Sequence, residues 1–251
     1  MTRDELMQAL KLECDRLAGV SADSLALPVG SMPGWTLEKL LRHVASAHLW
    51  TVMVLDAGPS TEPFGLIGSV PKPPRGPECL PAYRQAADDM IGRLASADPD
   101  AAVATWTGPG HVDFWTRRQL HEVTVHRFDA ADAIAAAGGP QPAAADPAAA
   151  GDGVLEWAEL FVRSRLPGLG IPAALAGRTA HLHATDAAAE ALLRFSSDAV
   201  EVSRDHAKAD IALRGPAQEL LLTLWRRRPL DTVEVFGDRS VAESLYDAAR
   251  F

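Results

Sequence analysis

A chain of 251 residues can hold one large domain or two modest ones, and either buries a substantial core. Hydrophobic residues make up 47% of it, yet no run of about 18 apolar residues occurs, so no transmembrane helix is expected. The net charge of −9, acidic in both halves, leaves no electrostatic footprint for nucleic acid.

The first elements read as helices. Leu6, Leu10, Cys14 and Leu17 share one face of an amphipathic helix that stops at Gly19. Asp4, Glu5, Glu13 and Asp15 interrupt any apolar stretch a signal peptide would need, and the two cysteines, Cys14 and Cys79, form no C-x-x-C pair. A folded cytoplasmic protein in a reducing compartment is expected. Neither cysteine has a neighbouring base that would make it a nucleophile. After the loop Met32-Pro33-Gly34-Trp35, Thr36 is placed to cap a long helix running to about Asp56.

The stretch SVPKPPRGPECLP carries five prolines and reads as an extended crossover. A third helix is expected from about Leu80 to Ala97, then a turn region at TGPGH, then a fourth helix from about Val112 to Ala137. Four helices with one long crossover describe a bundle. The Ala/Pro/Gly stretch 135–150 reads as a linker or helix end, followed by a helix holding Trp157 and Phe161.

Beyond Pro172 the pattern changes. TAHLHAT and AVEVS alternate with period two, ADIALRG reads as a strand ending at Gly215, and PAQELLLTLWRR as a helix opened by proline. TVEVFGD is a further strand and SVAESLYDAARF a closing helix. The expected fold class is therefore α+β in two domains: a helical bundle over residues 1–170 and a small α+β domain over 171–251.

Within the fourth helix lies HEVTVHRFDA, which nearly spells the zinc-protease signature. His121 and His126 are five apart and splay by about 140°, so they cannot share an ion on a regular helix. Glu122 and His126 are four apart and lie on one face. On the second helix His43 falls on the face of Leu40, Ala47, Trp50 and Val54 and is expected to point inward; His48, five residues on, faces away from it. His43, Glu122 and His126 then offer two imidazoles and a carboxylate, a set suited to catalytic zinc with a position left open.

Spacing alone leaves alternatives open. An i,i+4 Glu/His pair also stabilises a helix, and a single inward histidine also serves as a hydrogen-bonded core residue. Asp129 could orient an imidazole or pair with Arg127. Trp106, Phe114 and Trp115 are expected to pack the bundle, and His181 and His183, on one face of a strand, to be exposed or hydrogen-bonded sheet residues. The basic run Arg226-Arg227-Arg228 fits a helix C-terminus or an anionic ligand equally.

PGWTLEKLLRHVASAHLW, Thr105-Trp106, FWTRRQLHEVTVHRFDA and GDGVLEW resemble the N-terminal metal-binding domain of the mycothiol-dependent maleylpyruvate isomerase family, with its DinB-like four-helix bundle. HLHATD and ADIALRGPAQELLLTLWRRRPLDTVEVFGD resemble the smaller, sterol-carrier-like α+β domain of the same family. The resemblance covers nearly the whole chain. It implies zinc on His43, Glu122 and His126, and mycothiol as thiol cofactor or co-substrate acting on a small electrophile, as an isomerase or an S-transferase. It also implies a catalytic arginine after the LLLTLW helix, which Arg227 matches best; anionic thiol and substrate groups want cationic contacts, and Arg214 is a further candidate for these beside the Arg226–Arg228 cluster. The expected partners are that thiol and its substrate, with no nucleic acid and no membrane, in a monomer or homodimer. Two other readings stand beside this one: a zinc hydrolase, and a non-catalytic carrier or regulator.

Overall fold

The computed structural model describes residues 1–249; Arg250 and Phe251, the end of the expected closing helix, lie outside the described residues. The chain divides into two compact units, one of Thr2–Ala143 and the other of residues 144 onward with Met1.

In the first unit α1 spans Arg3–Leu17, opened by a capping box in which Thr2 and Glu5 satisfy each other's backbone N–H groups. Helix α2 spans Leu37–Ala57 with Thr36 as N-cap, α3 spans Cys79–Ser96, and α4 spans Val112–Ala136. Helix α1 packs chiefly on α4 and α2 on α3, while α2 also meets α4, which closes the expected bundle. Sixteen side chains of α4 are buried around its circumference, among them Arg118, His121, Arg127 and Asp129, so this helix runs through the bundle interior with polar groups included.

Two segments differ from the reading above. The crossover before α3 is punctuated by 3-10 turns at Pro63–Ser69 and Gly76–Glu78, each with a proline, Pro63 or Pro77, in its first two positions, where the missing N–H costs no hydrogen bond. The TGPGH region is a hairpin, with β1 at Ala102–Thr105 paired antiparallel to β2 at Gly108–His111. Gly108 supplies the turn with φ +109°, and a Cβ on Gly110 would sit 2.6 Å from the Thr105 methyl. Glycine is what lets the two strands close.

In the second unit α5 spans Pro147–Glu156 with Asp146 as N-cap, and it passes through a π-helical segment, Trp157–Val162, into α6 at Arg163–Leu169. The sheet holds β3 (Thr179–Ala184), β4 (Glu190–Phe195), β5 (Val200–Ser203), β6 (Ile211–Gly215) and β7 (Glu234–Gly237) in the order β5-β4-β3-β6-β7. Strands β3 and β6 run parallel and the other pairings are antiparallel. Helix α7, Ala217–Leu224, follows β6 and packs on β3 and β6, and α8, Arg239–Ala248, follows β7.

The spatial division comes earlier than the expected one at 170, because α5 packs on α7 and β4 of the second unit. Strand β4, EALLRF, is a further element that differs from the expected pattern. It is a short, nearly continuous apolar run between two partners, without the alternation that marks a half-buried strand. Among the described residues no helix is long and apolar enough to cross a membrane.

Candidate metal centre

The donor side chains come from α2 and α4 and converge on one carboxylate. His43 Nε2 lies 3.2 Å and His126 Nε2 3.3 Å from Glu122 Oε1, and the two imidazole rings stand edge-on with centroids 5.0 Å apart. Zinc bonds of about 2.0–2.1 Å place neighbouring donors of a tetrahedral shell roughly 3.3 Å apart. The two distances to Glu122 Oε1 match what such an ion requires, one atom from each of the three residues lies within 4.8 Å of the others, and their chemistry, two imidazoles and a carboxylate, suits it.

The surroundings divide the carboxylate's work. Glu122 Oε2 is 3.3 Å from Arg118 Nη2, whose side chain is only 2% exposed, so Oε1 is the oxygen left facing both imidazoles. Burial pushes the Glu122 carboxyl up, but hydrogen bonds from His126 and His43 and the charge of Arg118 outweigh it and hold the group well below the usual carboxylate range. His126 Nδ1 donates to Asp129 Oδ2 at 2.9 Å, and Ser31 Oγ donates to Oδ1 of the same carboxylate. Burial lowers the His126 pKa, and the Asp129 and Glu122 carboxylates more than reverse this, raising it to about 9.

Asp129 therefore orients an imidazole. The alternative partner, Arg127, is engaged elsewhere, with Glu13 of α1 and the Ala143 carbonyl.

The loop before α2 also reaches the centre. Its ends are closed by Val29 N–H donating to the Trp35 carbonyl and by a bridge from Pro28 to Thr36. That closure sets Ser31 on Asp129 and stands the Trp35 ring edge-on to His43 at 5.2 Å. Sequence reasoning missed Arg118 and Ser31. Arg118 carried a usable signal, being one turn before Glu122; Ser31 carried none.

The inward orientation expected for His43 is corrected. Leu40, Trp50 and Val54 of the expected face are buried, together with Leu37, Leu41, Val44, His48, Thr51 and Leu55, but the His43 side chain is 41% exposed at the margin. His48 is the buried histidine of α2, with Nδ1 2.7 Å from Gln119 Oε1, and Gln119 Nε2 donates to Thr51 Oγ1. His121 is buried and outside the donor set. Trp106, Phe114 and Trp115 pack with Trp50 and Phe64 in one aromatic cluster, and Arg118 lies over the Trp106 ring at 5.7 Å. Burial pushes the Cys14 thiol up to about 12 and raises Cys79 as well, so neither supplies a thiolate at neutral pH.

In the second unit Arg214 pairs with Glu234 at 2.7 Å on the surface of the sheet. Helix α7 ends before the arginine run; Arg226, at φ +63°, donates to the Tyr246 carbonyl, and Arg227 Nη1 donates to the Trp225 carbonyl at 2.8 Å. His181 and His183 gather with His206 on Glu190.

The fold and centre define a two-unit protein in which a helical bundle presents an open two-histidine, one-glutamate set and an α+β unit follows in the same chain. Residues 9–131 match the mycothiol maleylpyruvate isomerase N-terminal domain and residues 152–244 the MDMPI C-terminal domain. The chain belongs to the mycothiol-dependent maleylpyruvate isomerase family. Crystal structures of the mycothiol-dependent maleylpyruvate isomerase and of a histidine-to-alanine mutant of it each align with 94% of this chain and 93% of their own, at TM-score 0.62 and 11% identity. That likeness establishes the shared fold. No curated relative matches the chain.

Proposed function

We propose that this chain is a zinc-dependent enzyme that activates the thiol of mycothiol for addition to a small electrophile, as an S-transferase or as a cis–trans isomerase of a maleylpyruvate-like substrate. The observation that carries it is the convergence of His43 Nε2 and His126 Nε2 on Glu122 Oε1, with the other faces of Glu122 and His126 held by Arg118 and Asp129. A zinc ion held by those three side chains would supply the Lewis acidity that makes a thiol a thiolate at neutral pH.

The chain's own residues do the positioning. Asp129 holds the proton on His126 Nδ1 and so directs Nε2 at the centre. Arg118 fixes the rotation of the Glu122 carboxylate. His43, half-exposed beside Trp35, forms the margin at which a ligand meets the donor set. Addition of the thiolate sulfur to an activated double bond places the electron pair on the substrate's carbonyl system. Rotation about the resulting single bond and elimination of the thiolate give the other isomer, whereas protonation of the adduct gives transfer.

We assign Arg227 and Arg214 as cationic contacts for the anionic groups of thiol or substrate; both lie in the unit that matches the family's C-terminal domain, and guanidinium geometry suits carboxylates. The test is incubation with mycothiol and a panel of activated alkenes, read by mass spectrometry. Thiol-dependent adducts or isomers are expected, lost in Glu122→Ala and His126→Ala. No thiol-dependent product from any alkene would overturn the proposal.

A further inference from the structure

The second unit carries a cluster that the chemistry above does not use. Strand β3 alternates its side chains, so His181 and His183 emerge on one face. The antiparallel register sets Glu190 of β4 directly opposite His183. Strand β5 pairs with β4 through Ser203 opposite Leu192, and the chain leaving β5 brings His206 over the same carboxylate. Two segments, β3 and the chain after β5, thereby deliver three imidazoles to Glu190. His206 Nδ1 is 2.6 Å and His181 Nε2 3.2 Å from Oε2, while His183 Nδ1 is 3.1 Å from Oε1. The three ring centroids lie 5.4 to 5.8 Å from one another.

We propose that His181, His183, His206 and Glu190 form a second metal site, for a divalent transition ion of the zinc class. One donor atom from each of the four residues lies within 4.8 Å of all the others, close enough for modest side-chain rotation to reach the roughly 3.3 Å edges of a tetrahedral shell. Imidazole nitrogens select zinc, nickel or copper over magnesium and calcium, which want oxygen. A second observation points to a ligand: His183 Nδ1 is buried and, although 3.1 Å from the carboxylate, is not aligned to hydrogen-bond with it or with any other group. Hydrogen bonds to one shared carboxylate therefore leave a ring nitrogen unsatisfied that an ion among the four would coordinate.

The donor count separates this site from the one in the bundle. Four protein donors close a tetrahedral shell, which is the composition of a holding site, whereas three leave a position for chemistry. The role that follows is mechanical. The ion fastens the segment after β5, where the His206 side chain is 75% exposed, onto the β3–β4 pair.

The experiment uses the full chain, stripped with chelator and titrated with zinc alone against a chromophoric competitor. Two equivalents are expected for the unmodified chain, and one for the Glu122→Ala/His126→Ala chain. His206→Ala, a change at an exposed position that spares the core, is expected to leave one strong equivalent in the unmodified chain. In the Glu122→Ala/His126→Ala background it should weaken the remaining site by roughly tenfold or more. Zinc should also slow amide exchange across residues 203–210 in that background. The proposal is overturned if the Glu122→Ala/His126→Ala chain binds no zinc, or binds one equivalent that His206→Ala and His183→Ala leave unchanged. Either result is independent of thiol-dependent turnover, so the two proposals fail separately.

Discussion

Arg118 and Glu122 are one helical turn apart on α4, and the guanidinium takes one carboxylate oxygen so that the other is shared by two imidazoles from different helices. Removing that hold frees the carboxylate to rotate. Arg118→Met, which keeps the buried stem, is expected to weaken zinc binding at the bundle by about 10- to 100-fold. Chelator competition in a His206→Ala chain, where a single centre is counted, measures it; unchanged affinity would show that Glu122 is held by its neighbours alone.

Asp129 acts on the other flank. Asp129→Asn keeps the side-chain volume but removes the charge that holds the His126 Nδ1 proton, and the same competition assay should again show a loss of about 10- to 100-fold. Helix content should be unaltered. A variant with full affinity would mean that Asp129 is only a core partner of Ser31.

Arg127 of α4 and Glu13 of α1 form an ion pair whose side chains are 4% and 5% exposed. Glu13 also accepts from Arg16 at 2.6 Å. Glu13→Ala leaves a buried guanidinium without its counter-charge and should cost about 3–5 kcal/mol in urea unfolding. A loss below about 1 kcal/mol, the worth of a surface pair, would contradict the burial argument.

His48 gives the bundle an acid-sensitive core. Burial lowers its pKa to about 4, although the Gln119 hydrogen bond and the Glu122 charge oppose this and the charges of His43 and His126 add to it; Cys14 and Tyr83 also face the ring. Because the folded-state pKa is depressed below the unfolded one near 6.5, the unfolded chain binds the proton more readily. The stability His48 contributes is complete above about pH 6.5 and is lost as pH falls towards 4, by roughly 3 kcal/mol. Urea midpoints of the native chain and His48→Gln, compared between pH 8 and pH 4, should converge by about that amount. Parallel curves would assign the acid sensitivity to other groups.

Arg227→Ala should raise KM for an anionic substrate with kcat little changed, if the guanidinium binds ground and transition states alike. Arg226→Ala serves as the contrast, since Arg226 anchors the Tyr246 carbonyl and pairs with Asp247. A larger KM effect at Arg226 would reassign the contact.

Much of the bundle was legible because helical periodicity and capping are local. Thr36, Gly19 and the Glu122/His126 spacing each speak within a few residues. What was not legible depended on pairing at a distance. The register that lays Glu190 against His183 exists only once β4 is recognised, and EALLRF lacks the alternation that announces a strand. The expected face of α2 is buried at Leu40, Trp50 and Val54, but His43 lies at its exposed margin, because the buried part of this helix is wider than a single stripe. Polar His48 and Thr51 in fact lie within the core stripe. Ser31 reaches Asp129 across ninety-eight positions through a loop closed on itself, for which no sequence pattern exists.

The unequal exposure of the three bundle donors gives the centre a direction. His126 is 9% exposed and Glu122 22%, while His43 is 41% exposed. The two α4 donors form an inward floor, and the α2 imidazole stands on the solvent side. If this set holds zinc as proposed, capture of the ion would end, and its release begin, at His43; the rate of exchange would follow that side chain, and the depth of the well Glu122, His126 and the residues behind them.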